Sequence, residues 1–269
     1  MRMRSCCVGR VAATVVAVCG SVVSASDPYA TAVMGYNAGA NPAAGFTNPD
    51  AALGEPTRFT GVGVFPGAVT PFNSPYMPGE LVSIGEGGSI TLALAQPVLN
   101  DPANPFGIDL LVFGNAFYID TGFPAGVAGP LFGGGGVVEV ASTLDSWVTV
   151  PGVQAVSQFP TLGYADLTDP YSTAPGNVPT DFTRPVDPAF NPLGLSFAQI
   201  VAGYNGSGGG TGIDIGLAGL SSIQYVRISN PVGSGSALQI DGIAAVAPAP
   251  GTVGMLGLVL LAAGRRTRR

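Results

Sequence analysis

Glycine and proline interrupt this chain so often that long helices and long strands are disfavoured over most of it. The 269 residues include 41 glycines and 24 prolines. Glycine favours turns, whereas proline lacks a backbone N–H group and ends helices and inner strands. Because 46% of the residues are hydrophobic, the chain has enough apolar side chains to bury and is not predicted to be disordered. The pattern predicts an all-β fold, a single β-sandwich of short strands with long Gly- and Pro-rich loops.

Apolar residues in the middle of the chain are grouped as strands require. In residues 89–94, Ile90, Leu92 and Leu94 alternate with smaller residues, which predicts a strand with one buried face. Residues 109–113 form a continuous apolar run, which favours a central strand covered on both sides. Further strands are predicted at 81–84, 136–142, 147–150, 223–229 and 238–246, with a hairpin turn at 143–146 and a Gly/Ser turn between the last two.

Two short segments favour helices. Asp27 precedes Pro28 and is suited to cap a helix over residues 27–34, and residues 196–204 form a second candidate that ends at Asn205-Gly206. The Pro-rich stretch 170–192 is predicted to be a long loop. Since no repeat and no internal boundary is visible, residues 26–247 are predicted to form one domain, flanked by terminal segments 1–25 and 248–269.

The segment 1–25 has the layout of a secretory signal peptide. Arg2, Arg4 and Arg10 precede the apolar run 11–20, and small residues lead up to a cleavage point after Ala25. We therefore expect passage through Sec-type export machinery and cleavage by signal peptidase. All three cysteines lie in this segment, so the exported body is expected to contain no disulfide and no thiolate metal site.

The charged residues are sharply partitioned along the chain. Only three of the ten basic residues lie between Ser26 and Gly264, whereas all sixteen acidic residues do, which gives this part a net charge of −13. Phosphate backbones would repel such a body, so no nucleic-acid partner is expected. The chain has no histidine, which excludes Ser-His-Asp and Cys-His catalysis within it. Carboxylate chemistry and hard-cation binding stay open, but nothing selects a catalytic pair, and the protein is expected not to be an enzyme.

The segment 248–269 combines a proline motif, an apolar segment and an arginine cluster. The motif is Pro248-Ala249-Pro250, the apolar segment covers residues 251–264, and the cluster consists of Arg265, Arg266, Arg268 and Arg269. This order resembles the PEP-CTERM sorting signal of exported bacterial proteins, although alanine replaces the central glutamate of the motif. The resemblance implies a substrate of an exosortase-like membrane protease, with release or attachment of the protein at the cell surface or in the extracellular matrix.

The apolar segment of this tail is short for a permanent transmembrane span. As a C-terminal apolar helix its 14 residues would reach only about 21 Å, whereas the hydrocarbon layer is roughly 30 Å thick. We therefore expect it to hold the protein in the membrane temporarily, with the arginines on the cytoplasmic side.

Residues 26–247 also resemble uncharacterised secreted β-sandwich proteins of the discoidin-like, galactose-binding-like jelly-roll type. The matching pieces are residues 48–56 (Asn-Pro-Asp-Ala-Ala-Leu-Gly-Glu-Pro), 82–90, 107–113, 225–228 and 240–243. The resemblance implies a jelly roll in which the early loop containing Ala-Leu-Gly lies close to the final strand. It implies no catalytic residues.

That arrangement would bring three acidic residues towards one place. Asp50 and Glu55 belong to the early loop, and Asp241 stands in an otherwise apolar final strand. A buried carboxylate needs a partner or a cation, and Ca²⁺ accepts carboxylate and carbonyl oxygens. These residues are therefore candidate calcium ligands. The alternative is that Asp241 points to solvent or pairs with Arg227 on a neighbouring strand.

The loop after the predicted central strand is a candidate ligand site. It contains Asn115, Tyr118 and Asp120, and an aromatic face beside amide and carboxylate groups suits a polysaccharide. The alternative is that the aromatic residues pack on the edge of the sandwich. The sequence therefore predicts an exported, non-enzymatic surface or matrix protein, or alternatively a carbohydrate-binding module, with calcium as a possible stabilising ion.

Overall fold

The structure, a computed structural model, describes residues 27–247, whose regular structure is mostly antiparallel β-strand. One α-helix, α1 (Phe197–Tyr204), and three short 3-10 helices (Pro49–Ala52, Pro105–Gly107 and Ile215–Ala218) accompany the strands in this range. The all-β prediction is confirmed. In chain order the strands are β1 (Ala30–Asn37), β2 (Phe59–Thr60), β3 (Gly67–Ala68), β4 (Val82–Ile84), β5 (Ser89–Leu99), β6 (Leu110–Gly114), β7 (Phe117–Asp120), β8 (Ala128–Phe132), β9 (Gly135–Ala141), β10 (Val148–Val156), β11 (Thr211–Ile213), β12 (Ser222–Ser229) and β13 (Leu238–Ala245).

Two antiparallel sheets enclose the main hydrophobic core. One has the strand order β1-β5-β12-β9-β10 and the other β11-β6-β13-β4. Leu92 and Val226 from the first sheet and Val112 and Ile243 from the second belong to the same buried cluster. The two sheets therefore face each other as the layers of a β-sandwich.

The alternating pattern of β5 sets its position in the first sheet. Ile90 and Leu92 are completely buried, and they lie opposite Ile228 and Val226 of β12. The intervening Thr91 is only partly buried and lies opposite Arg227. Because side chains alternate between the faces of a strand, β5 has one face in the core and one towards solvent, as predicted.

The continuous apolar run of β6 is covered on both sides. Val112 points into the core between the sheets, whereas Leu111 and Phe113 belong to a second buried cluster with Phe182. The rings of Phe113 and Phe182 meet edge to face with their centroids 5.2 Å apart. Residue 182 comes from the long loop predicted at 170–192, so this loop covers the outer face of the second sheet.

Arg58, a partly buried residue, links that loop to the early part of the chain. The guanidinium of Arg58 lies 4.1 Å from the centroid of the Phe182 ring. Its Nη1 donates to the carbonyl oxygen of Gly163 at 2.8 Å, and its Nη2 binds Glu55 at 2.6 Å. The cation–π contact with Phe182 and a hydrogen bond from Nη1 to Thr180 Oγ1 at 3.2 Å hold the loop, while the ion pair with Glu55 orients the guanidinium.

Helix α1 and the β7–β8 hairpin enclose a smaller core beside the sandwich. Ile200 and Tyr204 of α1 pack there with Phe72, Tyr118 and other apolar residues. The helix begins after Ser196, whose backbone N–H donates to Gln199, and ends at Asn205 in the left-handed conformation with a φ of 51°. The predicted helix is confirmed, and its start and stop signals act as expected.

One local prediction, the helix at residues 27–34, is wrong. Residues 27–34 do not form a helix: Asp27 accepts a hydrogen bond from the backbone of Tyr29, and the chain continues as edge strand β1 paired with β5. Pairing with a neighbouring strand outweighs the local helix signal here. The predicted Gly/Ser turn does join β12 to β13, and it carries the chain from one sheet to the other.

The two terminal predictions lie outside the described residues. They are the signal peptide at 1–25 and the sorting tail at 248–269 with its apolar helix. Within residues 27–247, no helix has the length and apolar character needed to cross a membrane.

Candidate functional site

The early loop and the final strand meet, as the resemblance implied. Ala52 of the loop is completely buried, and a Cβ on Gly242 of β13 would lie 3.6 Å from the carbonyl oxygen of Gly54. Asp241 Oδ2 accepts from the backbone N–H of Thr57 at 2.9 Å, and its Oδ1 accepts from the Thr57 hydroxyl at 2.9 Å. These bonds join the loop to β13 across 184 residues of sequence.

Asp241 is a buried carboxyl group with one polar partner residue. Its side chain is only 3% exposed. Burial raises its pKa to about 7, although the two bonds from Thr57 act in the opposite direction. Both alternatives considered for this residue are wrong, since it does not face solvent and Arg227 instead binds Glu139 with a distance of 2.7 Å.

The other two candidate calcium ligands lie in different surroundings. Asp50 is exposed, and Glu55 accepts from Arg58 and from the Tyr29 hydroxyl. Over residues 27–247 no three acidic side chains converge as a metal-binding group. The structure therefore does not bring Asp50, Glu55 and Asp241 together as one ligand set.

The three candidate residues for polysaccharide binding are also separated. Asn115 donates from Nδ2 to the side chain of Gln239 on β13. Tyr118 is 3% exposed and belongs to the smaller core. Asp120 lies at the end of β7, a strand that the sequence did not predict.

Asp120 organises the turn of the β7–β8 hairpin. Its carboxylate accepts from the backbone N–H groups of Gly122, Gly126 and Val127 at 2.8–3.0 Å and from the Tyr171 hydroxyl at 3.1 Å. Partial burial raises the pKa of this carboxyl, but the hydrogen bonds outweigh that effect and lower the pKa overall. The carboxylate is fully used by the protein itself, which indicates a structural role.

An open cleft lies where Tyr118 approaches the surface. This aromatic cleft has a volume of about 380 Å³ and is lined by the hairpin, by residues 158–159 before the long loop and by residues at the end of that loop. The rings of Phe159 and Phe190 line it with their centroids 6.3 Å apart and their planes inclined by 30°. The lining residues that matter for recognition are Tyr118, Pro130, Gln158, Phe159, Phe190 and Asn191.

The polar groups of the aromatic cleft are two amides. Gln158 Oε1 accepts from the backbone N–H of Gly212 at 2.9 Å, and Asn191 Oδ1 accepts from that of Leu193 at 3.2 Å. These bonds fix both side chains, while neither amide nitrogen has a hydrogen-bond acceptor within residues 27–247. Half-exposed aromatic faces beside fixed amide donors suit a neutral ligand that has both apolar C–H faces and hydroxyl groups.

Sequence reasoning missed five of these six lining residues, namely Pro130 of β8 and four residues in loops. Gln158, Phe159, Phe190 and Asn191 lie in irregular segments far apart in sequence, where no periodic pattern marks them. The one available signal was the presence of phenylalanine within loops otherwise rich in proline and small residues, since exposed loop aromatics are unusual without a packing or binding role.

No family model matches the chain, and no curated protein sequence is significantly similar to it.

Proposed function

We propose that this protein is exported, is held briefly at the membrane by its C-terminal tail, and acts without catalysis at the cell surface or in the extracellular matrix. The observation that carries the proposal is the charge partition, in which seven of the ten arginines flank the two terminal apolar segments while the body between them has a net charge of −13. Sec-type machinery, signal peptidase and an exosortase-like protease would be its processing partners.

The organisation of the body supports this proposal. Residues 27–247 form the two large sheets and three buried hydrophobic clusters. A jelly-roll classification of the sandwich is part of the proposal, and the contact between the early loop and β13 supports it.

Mass spectrometry of the protein from the native cell surface tests the processing. We expect a new N-terminus at Ser26 and a C-terminus at or close to Pro248-Ala249-Pro250. Replacement of Arg265, Arg266, Arg268 and Arg269 by serine is expected to leave the tail uncut. An intact Arg269 in all of the mature surface protein would contradict cleavage.

The second candidate function is saccharide binding in the aromatic cleft. It would give the proposed surface or matrix protein a specific molecular activity. The inclined rings of Phe159 and Phe190 beside the Gln158 and Asn191 amides favour it. A hexose or a short oligosaccharide segment could place C–H groups on the rings and hydroxyl groups near the amide nitrogens. Because none of the described residues that line the cleft has an ionised side chain, a neutral glycan is favoured over a charged one.

A glycan array followed by calorimetry tests this candidate. Phe190→Ala is expected to weaken binding of the glycan found on the array by roughly fivefold, since an aromatic contact contributes on the order of 1 kcal/mol. Asn191→Ala, at an exposed position, should weaken binding without loss of thermal stability. Phe65→Ala is the matched control, because Phe65 is 80% exposed and does not line the cleft. Equal affinities for Phe190→Ala, Asn191→Ala and the wild type would refute the assignment.

A further inference from the structure

The two ends of the described body lie side by side. Tyr29 forms an antiparallel bridge with Ala244, and the backbone N–H of Ala245 donates to the carbonyl oxygen of Pro28 at 2.7 Å. Asp27 and Ala247 line the same cleft of about 510 Å³. The segments that precede and follow the body therefore leave it at one place.

The position of the C-terminal exit is fixed by backbone hydrogen bonds. Val246 donates to the carbonyl oxygen of Asp109 at 2.9 Å, and Ala247 donates to that of Thr183 at 3.0 Å. Ala247 also lines a second cleft, of about 700 Å³, on its other side. We call the surface formed by residues 27–28, 97–101, 105–106, 183–184 and 245–247 the exit face.

The chain beyond Ala247 has little length before its apolar segment begins. Only Pro248, Ala249 and Pro250 separate Ala247 from Gly251. Fully extended, the four steps from Ala247 to Gly251 span at most about 14 Å. When the apolar segment is inserted in a membrane, the exit face must therefore lie within about that distance of the lipid.

The exit face exposes two large apolar side chains. Leu99 is 63% exposed in one cleft and Phe106 is 55% exposed in the other. Phe106 is held outward by a backbone conformation with a φ of 61°, which is uncommon for a bulky residue. Exposed leucine and aromatic side chains are suited to the boundary between headgroups and acyl chains.

The charges of the same clefts are mainly acidic. Asp27 and Asp101 line one cleft, and Asp181, Asp187 and Arg184 line the other. Anionic headgroups would repel these acidic side chains. The body alone would therefore have no strong attraction to a bacterial membrane. Contact would depend on the tail.

Building on the proposed membrane-held state, we propose that the exit face rests on the lipid bilayer while the tail is inserted, with Leu99 and Phe106 in the headgroup region. The new N-terminus at Ser26 and the tail then leave the body at the same face. Cleavage of the tail removes the tether and frees the body from the surface.

The exported form without residues 1–25 has no cysteine, so one introduced cysteine can be labelled alone. We would place an environment-sensitive fluorophore on Leu99→Cys or Phe106→Cys in residues 26–269, reconstituted in vesicles of phosphatidylethanolamine and phosphatidylglycerol with a lipid-borne quencher. Val232→Cys is the matched control. Val232 is 84% exposed and precedes β13. The length of β13, roughly 23 Å, separates the start of this strand from its end, which leads to Ala247. Leu258→Cys in the tail reports insertion.

We expect the labels at 99 and 106 to be quenched several-fold more than the label at 232, and this difference to vanish in residues 26–247 without the tail. If the tail label is quenched while the labels at 99, 106 and 232 behave alike, the exit-face proposal is overturned and the membrane-held state stands. If the tail label itself is not quenched, the membrane-held state fails and the exit-face proposal fails with it.

Discussion

The buried carboxyl of Asp241 makes the stability of the fold depend on pH in a direction opposite to that of most carboxylates. Because its folded pKa is raised to about 7 from 3.8, the folded state retains a proton between about pH 4 and pH 7 that the unfolded state releases. The contribution to stability is therefore complete below pH 4 and is lost as the pH rises through 7. Asp241→Asn removes this titration while keeping a side-chain oxygen that can accept from the Thr57 N–H.

The size of the effect follows from the displacement of the pKa. A displacement of about 3 units corresponds to roughly 4 kcal/mol between the two protonation states. At low pH the variant and the wild type should have similar free energies of unfolding, because both then carry a neutral side chain at this position. Above pH 7, Asp241→Asn should be more stable than the wild type by up to roughly 4 kcal/mol.

Urea unfolding followed by circular dichroism at pH 4.5 and pH 8 measures this difference. Comparing variant with wild type at each pH cancels the titration of the other acids. Asp145→Asn is the control, since Asp145 is exposed in the β9–β10 turn and should change stability by less than about 0.5 kcal/mol at either pH. A difference between Asp241→Asn and wild type that does not change with pH would refute the reasoning that burial keeps this carboxyl protonated.

Three further predictions concern stability. Asp120→Ala should lower the free energy of unfolding by on the order of 1–3 kcal/mol at neutral pH, because three backbone N–H groups lose their acceptor. Since the pKa of Asp120 is lowered, urea titrations should show the difference from the wild type shrinking below about pH 4. Gly210→Ala should be destabilising in thermal melts, because Gly210 has a φ of 92° and a Cβ there would lie 2.9 Å from the Phe113 ring. An unchanged Tm would contradict this close approach. Leu92→Ala should lower the free energy of unfolding by roughly 2–5 kcal/mol, whereas Leu99→Ala, at an exposed site, should stay within about 0.5 kcal/mol.

Strands and helices whose own residues show a clear local pattern could be predicted from the sequence. The alternation in β5, the unbroken apolar run in β6 and the serine and asparagine at the ends of α1 each identify an element without reference to its neighbours. Strand β1 could not be identified in this way, because its local residues favour a helix and only pairing with β5 makes it a strand. Strand β8 contains glycine and proline and is ordered by its pairing with β7, so no window of sequence identifies it either.

The candidate sites likewise differ in how far a local sequence pattern identifies their residues. An acidic residue in an apolar strand was enough to single out Asp241 as unusual, but its partner Thr57 lies 184 residues away and has no pattern that connects it to β13. The aromatic cleft depends entirely on tertiary structure, since Phe159 and Phe190 meet only after the long loop has folded against α1.

The acidity of the body has a structural explanation as well as a solubilising one. Glu86 accepts from the backbone N–H groups of Gly233 and Gly235, and Asp166 from those of Asn177 and Val178, each at 2.8–3.1 Å. Together with Asp120, these carboxylates hold loop backbone that glycine and proline leave outside regular structure, and for Asp166 the backbone bonds lower the pKa.

This use of carboxylates explains how a body without cysteine can order such long loops. A disulfide joins two points of a chain, whereas one carboxylate can accept several N–H groups that would otherwise lack partners. The acids committed in this way are unavailable as ligands for calcium or as a catalytic pair. For the proposed saccharide site, recognition is therefore better sought in the cleft of Phe159 and Phe190, where the lining is aromatic and amide, than at Glu86, Asp120 and Asp166.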